Sequence, residues 1–316
     1  MEKIKIAFFA TPDIALNSFK YFINSQDFEV LALVTQPPKP ACRGKKVIER
    51  KIKTIALQNN IEVFEPQKIS KEEENIEKLK KLNLDFFVTF AFGQILSQEV
   101  IDIPKHGTIN LHASLLPKYR GANPICEAIL NGDKKTGITT MKTVLELDAG
   151  DICLQEEIEL DEKINVIELM EKISDLSPSL LDKTLKGLIN GEIKPMAQDS
   201  ANATFTKKLK KEDKELDWNS NATALHNKIR AMHTINTCHA KFNSKLVKIL
   251  ETKVVKSDKK ADCGKIVEVS KEGVCVQCGQ DILMLLTLKP EGKGEMSAYS
   301  WSLGSKIKVG DEFEKC

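Results

Sequence analysis

Apolar residues follow two rhythms along this chain. In the first half, apolar runs at residues 4–10, 30–35, 86–92 and 108–111 alternate with segments at 14–22, 47–57 and 71–82 whose apolar positions recur every three to four residues. Unbroken apolar runs suit strands buried on both faces, and the 3.6-residue spacing suits helices that cover them. The alternation therefore predicts a parallel sheet in an α/β domain. Residues 136–143 and 152–160 read as two more strands around the turn Leu147-Asp148-Ala149-Gly150-Asp151, and 166–189 as a long helix. Residues 190–206 are polar, carry Gly191 and Pro195, and read as a linker. The rhythm then changes. Short strands are expected at 247–255, 264–269, 273–278, 282–289 and 306–309, the spacing of a small all-β barrel or sandwich. The expected organisation is a catalytic domain at 1–189, a linker at 190–206 and a second domain at 207–316.

Composition adds bounds to this picture. With 316 residues, 41% hydrophobic and 29% charged, the chain can bury two cores. No apolar run approaches the ~20 residues that span a bilayer, and no signal-peptide pattern precedes the first strand, so a soluble cytoplasmic protein without membrane contact is expected. Eight scattered cysteines in such a chain predict free thiols. The net charge of +2 conceals an asymmetry, because residues 207–316 hold 21 Lys and Arg against 15 Asp and Glu. Residues 36–53 add a local basic run (Lys39, Arg43, Lys45, Lys46, Arg50, Lys51 and Lys53) with Glu49 as its one acid. Both features suit a polyanionic partner, although a lysine-rich composition alone produces similar numbers.

The chemistry concentrates in Asn110-Leu-His112-Ala-Ser114-Leu-Leu-Pro117-Lys-Tyr-Arg120-Gly121-Ala-Asn-Pro124-Ile125. Strand alternation puts Asn110 and His112 on one face, and the proline and glycine that follow turn the strand into a loop. Ligands of open parallel sheets bind at such strand-to-loop ends. Asp148, on its glycine-bearing turn, is the candidate to orient His112. An amide donor, an imidazole and a carboxylate make a site for acyl transfer, in which Asn110 and His112 face a developing oxyanion and Asp148 assists removal of a proton from an attacking amine. No activated serine or cysteine is implied, since no glycine-flanked elbow surrounds Ser114. The first strand-to-helix turn, Ala10-Thr11-Pro12-Asp13, lacks the glycines of a dinucleotide site, so Thr11 or Asp13 is expected to cap the helix instead. Cys275-Val-Gln-Cys278 could form half of a zinc site, but Cys263 and His239 do not supply a second pair at suitable spacing, and no metal is expected.

On these residues the chain resembles the methionyl-tRNA formyltransferases. The resemblance is carried by Thr11-Pro12-Asp13, Gln36-Pro-Pro-Lys-Pro-Ala-Cys-Arg43-Gly44-Lys45-Lys46, Asn110 to Ile125, Leu147 to Asp151, and Leu288-Lys-Pro290-Glu-Gly292-Lys293-Gly-Glu-Met296-Ser-Ala298. It implies a Rossmann-like formyltransferase domain followed by an OB-like small β-barrel. It also implies 10-formyltetrahydrofolate as formyl donor, initiator methionyl-tRNA as acceptor, and a monomer. Carried over by position, the catalytic set is Asn110, His112 and Asp148. Ser114, Leu115, Leu116 and Pro117 belong to the folate site, and Arg43, Lys45 and Lys46 to a loop that meets the tRNA acceptor end. The chain departs from the family pattern at Ala10, at Ala91-Phe92-Gly93, and at Met232-His233-Thr234-Ile235-Asn236. Two rivals remain at this point: a folate-dependent formyltransferase acting on a sugar-nucleotide or ribonucleotide amine, and a non-catalytic tRNA-binding protein.

Overall fold

The computed structural model describes residues 2–38, 49–207, 210, 212–233, 236–258 and 261–314. The chain divides into two compact units. One comprises Met1–Pro124, Thr136–Glu159 and Met170–Thr206, the other Ile125–Lys135, Leu160–Leu169 and Lys207–Cys316. The elements through residue 189 are β1 (Ile4–Ala10), α1 (Leu16–Asn24), β2 (Phe28–Val34), α2 (Lys51–Gln58), β3 (Glu62–Phe64), α3 (Glu73–Lys81), β4 (Phe86–Phe90), α4 (Gln98–Ile101), β5 (Thr108–His112), α5 (Pro124–Leu130), β6 (Lys135–Lys142), β7 (Ile152–Glu159) and α6 (Val166–Ile189).

The first unit is built on a seven-stranded sheet in the order β3-β2-β1-β4-β5-β6-β7. From β3 through β5 all neighbours run parallel, and β6 then runs antiparallel to β5. Chain order reverses direction across the sheet between β1 and β4, which opens a crevice at their carboxyl ends. β1 and β4 are apolar because both faces are covered: every residue of β4 is buried, and Phe9 packs 4.7 Å from Phe87 and 5.3 Å from Phe92, ring centre to ring centre. On the other side Phe8 meets Phe19 and Phe22 of α1. The expected caps of that helix are absent. The Thr11 hydroxyl donates instead to the Phe92 carbonyl at 2.9 Å, Asp13 pairs with Lys51 at 2.7 Å, and Pro12 opens the turn without a side-chain cap.

The second unit contains α7 (Ala222–Ala231), β8 (His239–Phe242), β9 (Lys245–Val255), β10 (Ile266–Val269), β11 (Val274–Gln277), β12 (Ile282–Pro290), β13 (Met296–Ser297) and α8 (Ala298–Ser305). Its antiparallel strands lie in the order β10-β11-β12-β9-β8, with β13 on β12. Register shifts near Leu285 and Thr287 bend the long β12–β9 ladder, curling the sheet into the half-barrel of an OB-like domain. Its core gathers Trp218, Leu225, Ile229, Leu283, Leu285, Trp301 and Phe313. The strand expected at 306–309 does not form. Those residues end α8 in a Schellman motif, with Lys306 left-handed at φ 55°, its N–H on the Leu303 carbonyl and the Ile307 N–H on the Ser302 carbonyl. The alternation of Ile307 and Val309 that suggested a strand reflects one buried anchor, Ile307, next to exposed Val309.

Cys275 and Cys278, three apart on extended chain, belong to different apolar clusters on opposite faces of the sheet and cannot share a metal. Burial pushes their thiols up to about 11 and about 12. Both should stay unmodified by a thiol-titrating reagent in the native protein at pH 8 and react only on unfolding, since the thiolate is the reactive species. Rapid native-state labelling of either cysteine, located by peptide mapping, would contradict this.

Candidate active site

Asn110 and His112 project from one face of β5, as two-residue spacing requires. Thr89 stands opposite Asn110 in the parallel β4–β5 register, and its hydroxyl donates to Asn110 Oδ1 at 2.8 Å. That bond fixes the amide with Oδ1 facing the sheet and Nδ2 turned outward. Asn110 Nδ2 has no hydrogen-bond partner among the described residues, so it is a donor held ready for an acceptor.

His112 is almost completely buried and meets two partners. Its Nε2 lies 2.9 Å from the Tyr119 carbonyl, and its Nδ1 lies 3.6 Å from Asp148 Oδ2. A carbonyl only accepts, so Nε2 carries a proton and Nδ1 is the nitrogen that can take or give one. Sequence reasoning gave Asp148 the task of orienting His112. The backbone carbonyl of Tyr119 does so at hydrogen-bond distance, and Asp148 faces the nitrogen left open. No side-chain pattern announces a backbone partner.

The loop after β5 folds back on itself to deliver that carbonyl. The Ser114 hydroxyl donates to the Lys118 carbonyl at 2.6 Å, and the Ser114 carbonyl accepts from Thr139 Oγ1 at 2.6 Å. The Leu116–Pro117 peptide is cis, and the Leu116 carbonyl accepts from Gln155 Nε2 at 2.9 Å. Ser114 and Leu116 are thus buried inside the loop, whereas Leu115 and Pro117 are half-buried at its surface. Tyr119 is left-handed at φ 64°, and its N–H donates to Thr204 Oγ1 at 2.8 Å.

Asp148 reaches the same place from the turn between β6 and β7. It is left-handed at φ 51°, and its Oδ2 accepts from the Gly121 N–H at 2.7 Å, which holds the carboxylate beside His112. Gly121 has φ 116°, a conformation that only glycine adopts readily, so the donor of that bond depends on residue 121 having no side chain. Gly150 serves the turn differently: a Cβ there would lie 1.7 Å from the Lys142 carbonyl oxygen. Gly150→Ala should therefore displace the turn, lower stability by about 1–3 kcal/mol and reduce turnover by about 10²-fold as Asp148 moves from His112. Thermal melts and steady-state rates check both parts, and parental turnover in this variant would contradict the role given to the turn.

Residues 196–206, expected to link domains, also pack in the first unit. Met196 pairs with Ile152, and Phe205 with Arg120. Arg43, Lys45 and Lys46 lie outside the described residues. Sequence reasoning missed Thr89, Tyr119 and Thr204, whose contacts with the site come from register or backbone position rather than from spacing. The departures from the family pattern avoid Asn110, His112 and Asp148. The Phe92 ring is core, its carbonyl accepts from Gln36 Nε2 at 2.8 Å, and Met232 is buried in the second core.

Two family models cover most of the chain: "Formyl transferase" matches residues 4–185, and "Formyl transferase, C-terminal domain" matches 208–306. The chain is 40% identical to the methionyl-tRNA formyltransferase of a Sulfurihydrogenibium species over 98% of its length and 100% of that protein. The chain belongs to the methionyl-tRNA formyltransferase family. A second family member, from Clostridium botulinum, is 42% identical over 92% of this chain and 93% of its own. The family fold extends to an N-formyltransferase from Helicobacter canadensis solved with folinic acid and dTDP-3-aminofucose. That structure superposes with a TM-score of 0.64 at 19% identity, covering 90% of this chain and 99% of that one.

Proposed function

We infer that this enzyme transfers the formyl group of 10-formyltetrahydrofolate to the free α-amino group of methionyl-initiator tRNA, giving N-formylmethionyl-tRNA for translation initiation. Family membership along both domains carries the reading. In the transfer the amine nitrogen bonds to the formyl carbon, the bond from that carbon to the folate nitrogen breaks, the amine loses a proton and the departing folate nitrogen takes one up. Asn110, His112 and Asp148 are the residues proposed to carry it. Asn110 donates from Nδ2 to the formyl oxygen as it becomes negative, and the bond to Thr89 keeps that donor aimed. Asp148 receives the amine proton directly or through a water, and His112, anchored through Nε2, exchanges a proton at Nδ1.

For the donor, Ser114 and Leu116 shape the loop from within, while Leu115 and Pro117 offer accessible surface. Val144, Leu145 and Leu147, just before Asp148 in sequence, are exposed, which suits the cover that a flat folate ring provides. The acceptor is assigned to Arg43, Lys45 and Lys46 and to the curled sheet. There Lys248 and Lys289 stand directly opposite on β9 and β12, both exposed, with no ion pair among the described residues. Like charges in register repel, and a phosphate backbone relieves them. The domain limits proposed are 1–189 for catalysis, 190–206 for the connection and 207–316 for tRNA contact. The enzyme is proposed to act in the cytoplasm as a monomer. Among the described residues, no helix is long and apolar enough to cross a membrane.

Formyl transfer measured before and after ribonuclease treatment of the charged acceptor tests the reading. Activity lost with the intact tRNA supports it. Activity that survives, or exceeds it with a sugar-nucleotide amine, overturns it.

A further inference from the structure

Arg120 is buried to 1% exposure, among the largest fully buried side chains of the described residues, and it lies in the loop that delivers the Tyr119 carbonyl. A guanidinium in that position needs acceptors. Two of its N–H groups, from Nε and Nη2, converge on the single oxygen Oε1 of Gln198 at 3.1 and 2.9 Å. A third reaches the exposed carboxylate of Glu146 at 3.4 Å. Arg120 has only donors, so it dictates which end of the Gln198 amide faces it. The other end, Nε2, is then turned to the Asp148 turn, where it donates to the carbonyls of Asp148 and Gly150 at 2.8 and 2.7 Å. One half-buried amide thus joins the loop that holds His112 to the turn that holds Asp148, with each of its polar atoms matched.

We propose that Gln198 is a positioning residue for formyl transfer, acting through Asp148, and that Arg120 fixes the direction of its amide. The proposal rests on the reading of Asp148 as the group that takes the amine proton. Gln198 touches neither His112 nor a reacting atom. It holds the left-handed backbone from which the Asp148 carboxylate points to His112, and without that hold the carboxylate is kept in place, among the described residues, by the Gly121 N–H and the looser contact with His112. A displacement of about 1 Å at such a group can slow a reaction by ~10²-fold.

Gln198→Glu separates this role from a merely structural one. The carboxylate keeps the shape and the contact with Arg120 but turns the donor facing the two carbonyls into an acceptor. The expected result is a fall in kcat of about 10²-fold, with KM for donor and charged tRNA within about threefold of the parent. Gln198→Met, which removes the donor without adding charge, should show the same split, so that a folding defect in one variant does not decide the matter. Combined with Asp148→Ala, Gln198→Glu should add little further loss, because both changes act on one carboxylate. Parental kcat in Gln198→Glu, with Asp148→Ala slow, overturns the proposal and leaves Asp148 in its role. Equal losses with and without Asp148 also overturn it. Parental turnover in Asp148→Ala overturns the reading of Asp148 and this proposal with it.

Discussion

His112→Ala and Asp148→Ala should each slow formyl transfer by about 10²- to 10⁴-fold, while tRNA affinity remains near that of the parent enzyme. The direction follows from where these groups do their work. His112 is anchored by the Tyr119 carbonyl at 2.9 Å, so its remaining nitrogen is available to move a proton, and Asp148 faces that nitrogen at 3.6 Å. Removing the imidazole eliminates the proposed proton carrier. Removing the carboxylate eliminates the group proposed to accept the amine proton. Both losses fall on the transition state, where charge moves, and neither residue belongs to the surface assigned to tRNA. Asn110→Ala should cost about 10²- to 10³-fold, the usual consequence of deleting one oxyanion donor. Single-turnover formylation paired with a tRNA-binding assay checks all three. Parental rates in the histidine or aspartate variant would remove the catalytic assignment.

The second large effect is expected at Arg43. If the basic run enters the acceptor end of tRNA, Arg43→Ala should leave folding and folate binding intact yet reduce formylation by about 10²-fold, because a misplaced aminoacyl end loses its alignment with the formyl donor. Arg43→Lys keeps the charge but loses the planar fork, so it should recover only part of the rate. Comparing the three proteins at low and high salt separates a point-charge contact, which fades with counterion competition, from a geometric one, which persists as a rate defect. Parental formylation of charged initiator tRNA by Arg43→Ala would take the acceptor away from this loop.

The parts of the fold that could be read from sequence were those in which one local rule decides the outcome. The runs that became β1, β4 and β12 are largely buried, and burial dictates their composition, while β9 sets buried Val247 and Ile249 between exposed Lys245, Lys248 and Glu251. Asn110 and His112 share a face because strand alternation permits nothing else. What escaped depends on partners distant in sequence. Short β3 and β8 have too few residues to show a period. Thr89 gains its role only by lying beside Asn110 in register. Arg120 is charged, and charge normally marks a surface position, yet it is buried against Gln198 from a segment whose polarity and glycine suggested a linker. The tautomer of His112 depends on a backbone carbonyl that a loop returns to it. Ile307 shows the opposite error, an apolar alternation created by a helix end rather than by a strand.

One site joins a folate formyl group to the amine of a charged tRNA in the proposed reaction. The direct measurement supplies 10-formyltetrahydrofolate and compares charged initiator tRNA, uncharged initiator tRNA and free methionine as acceptors for the purified protein. Rapid formation of N-formylmethionyl-tRNA is expected with the first acceptor, and no formyl transfer with the other two. Equal transfer to free methionine, or no transfer to the charged tRNA, would contradict the proposed reaction.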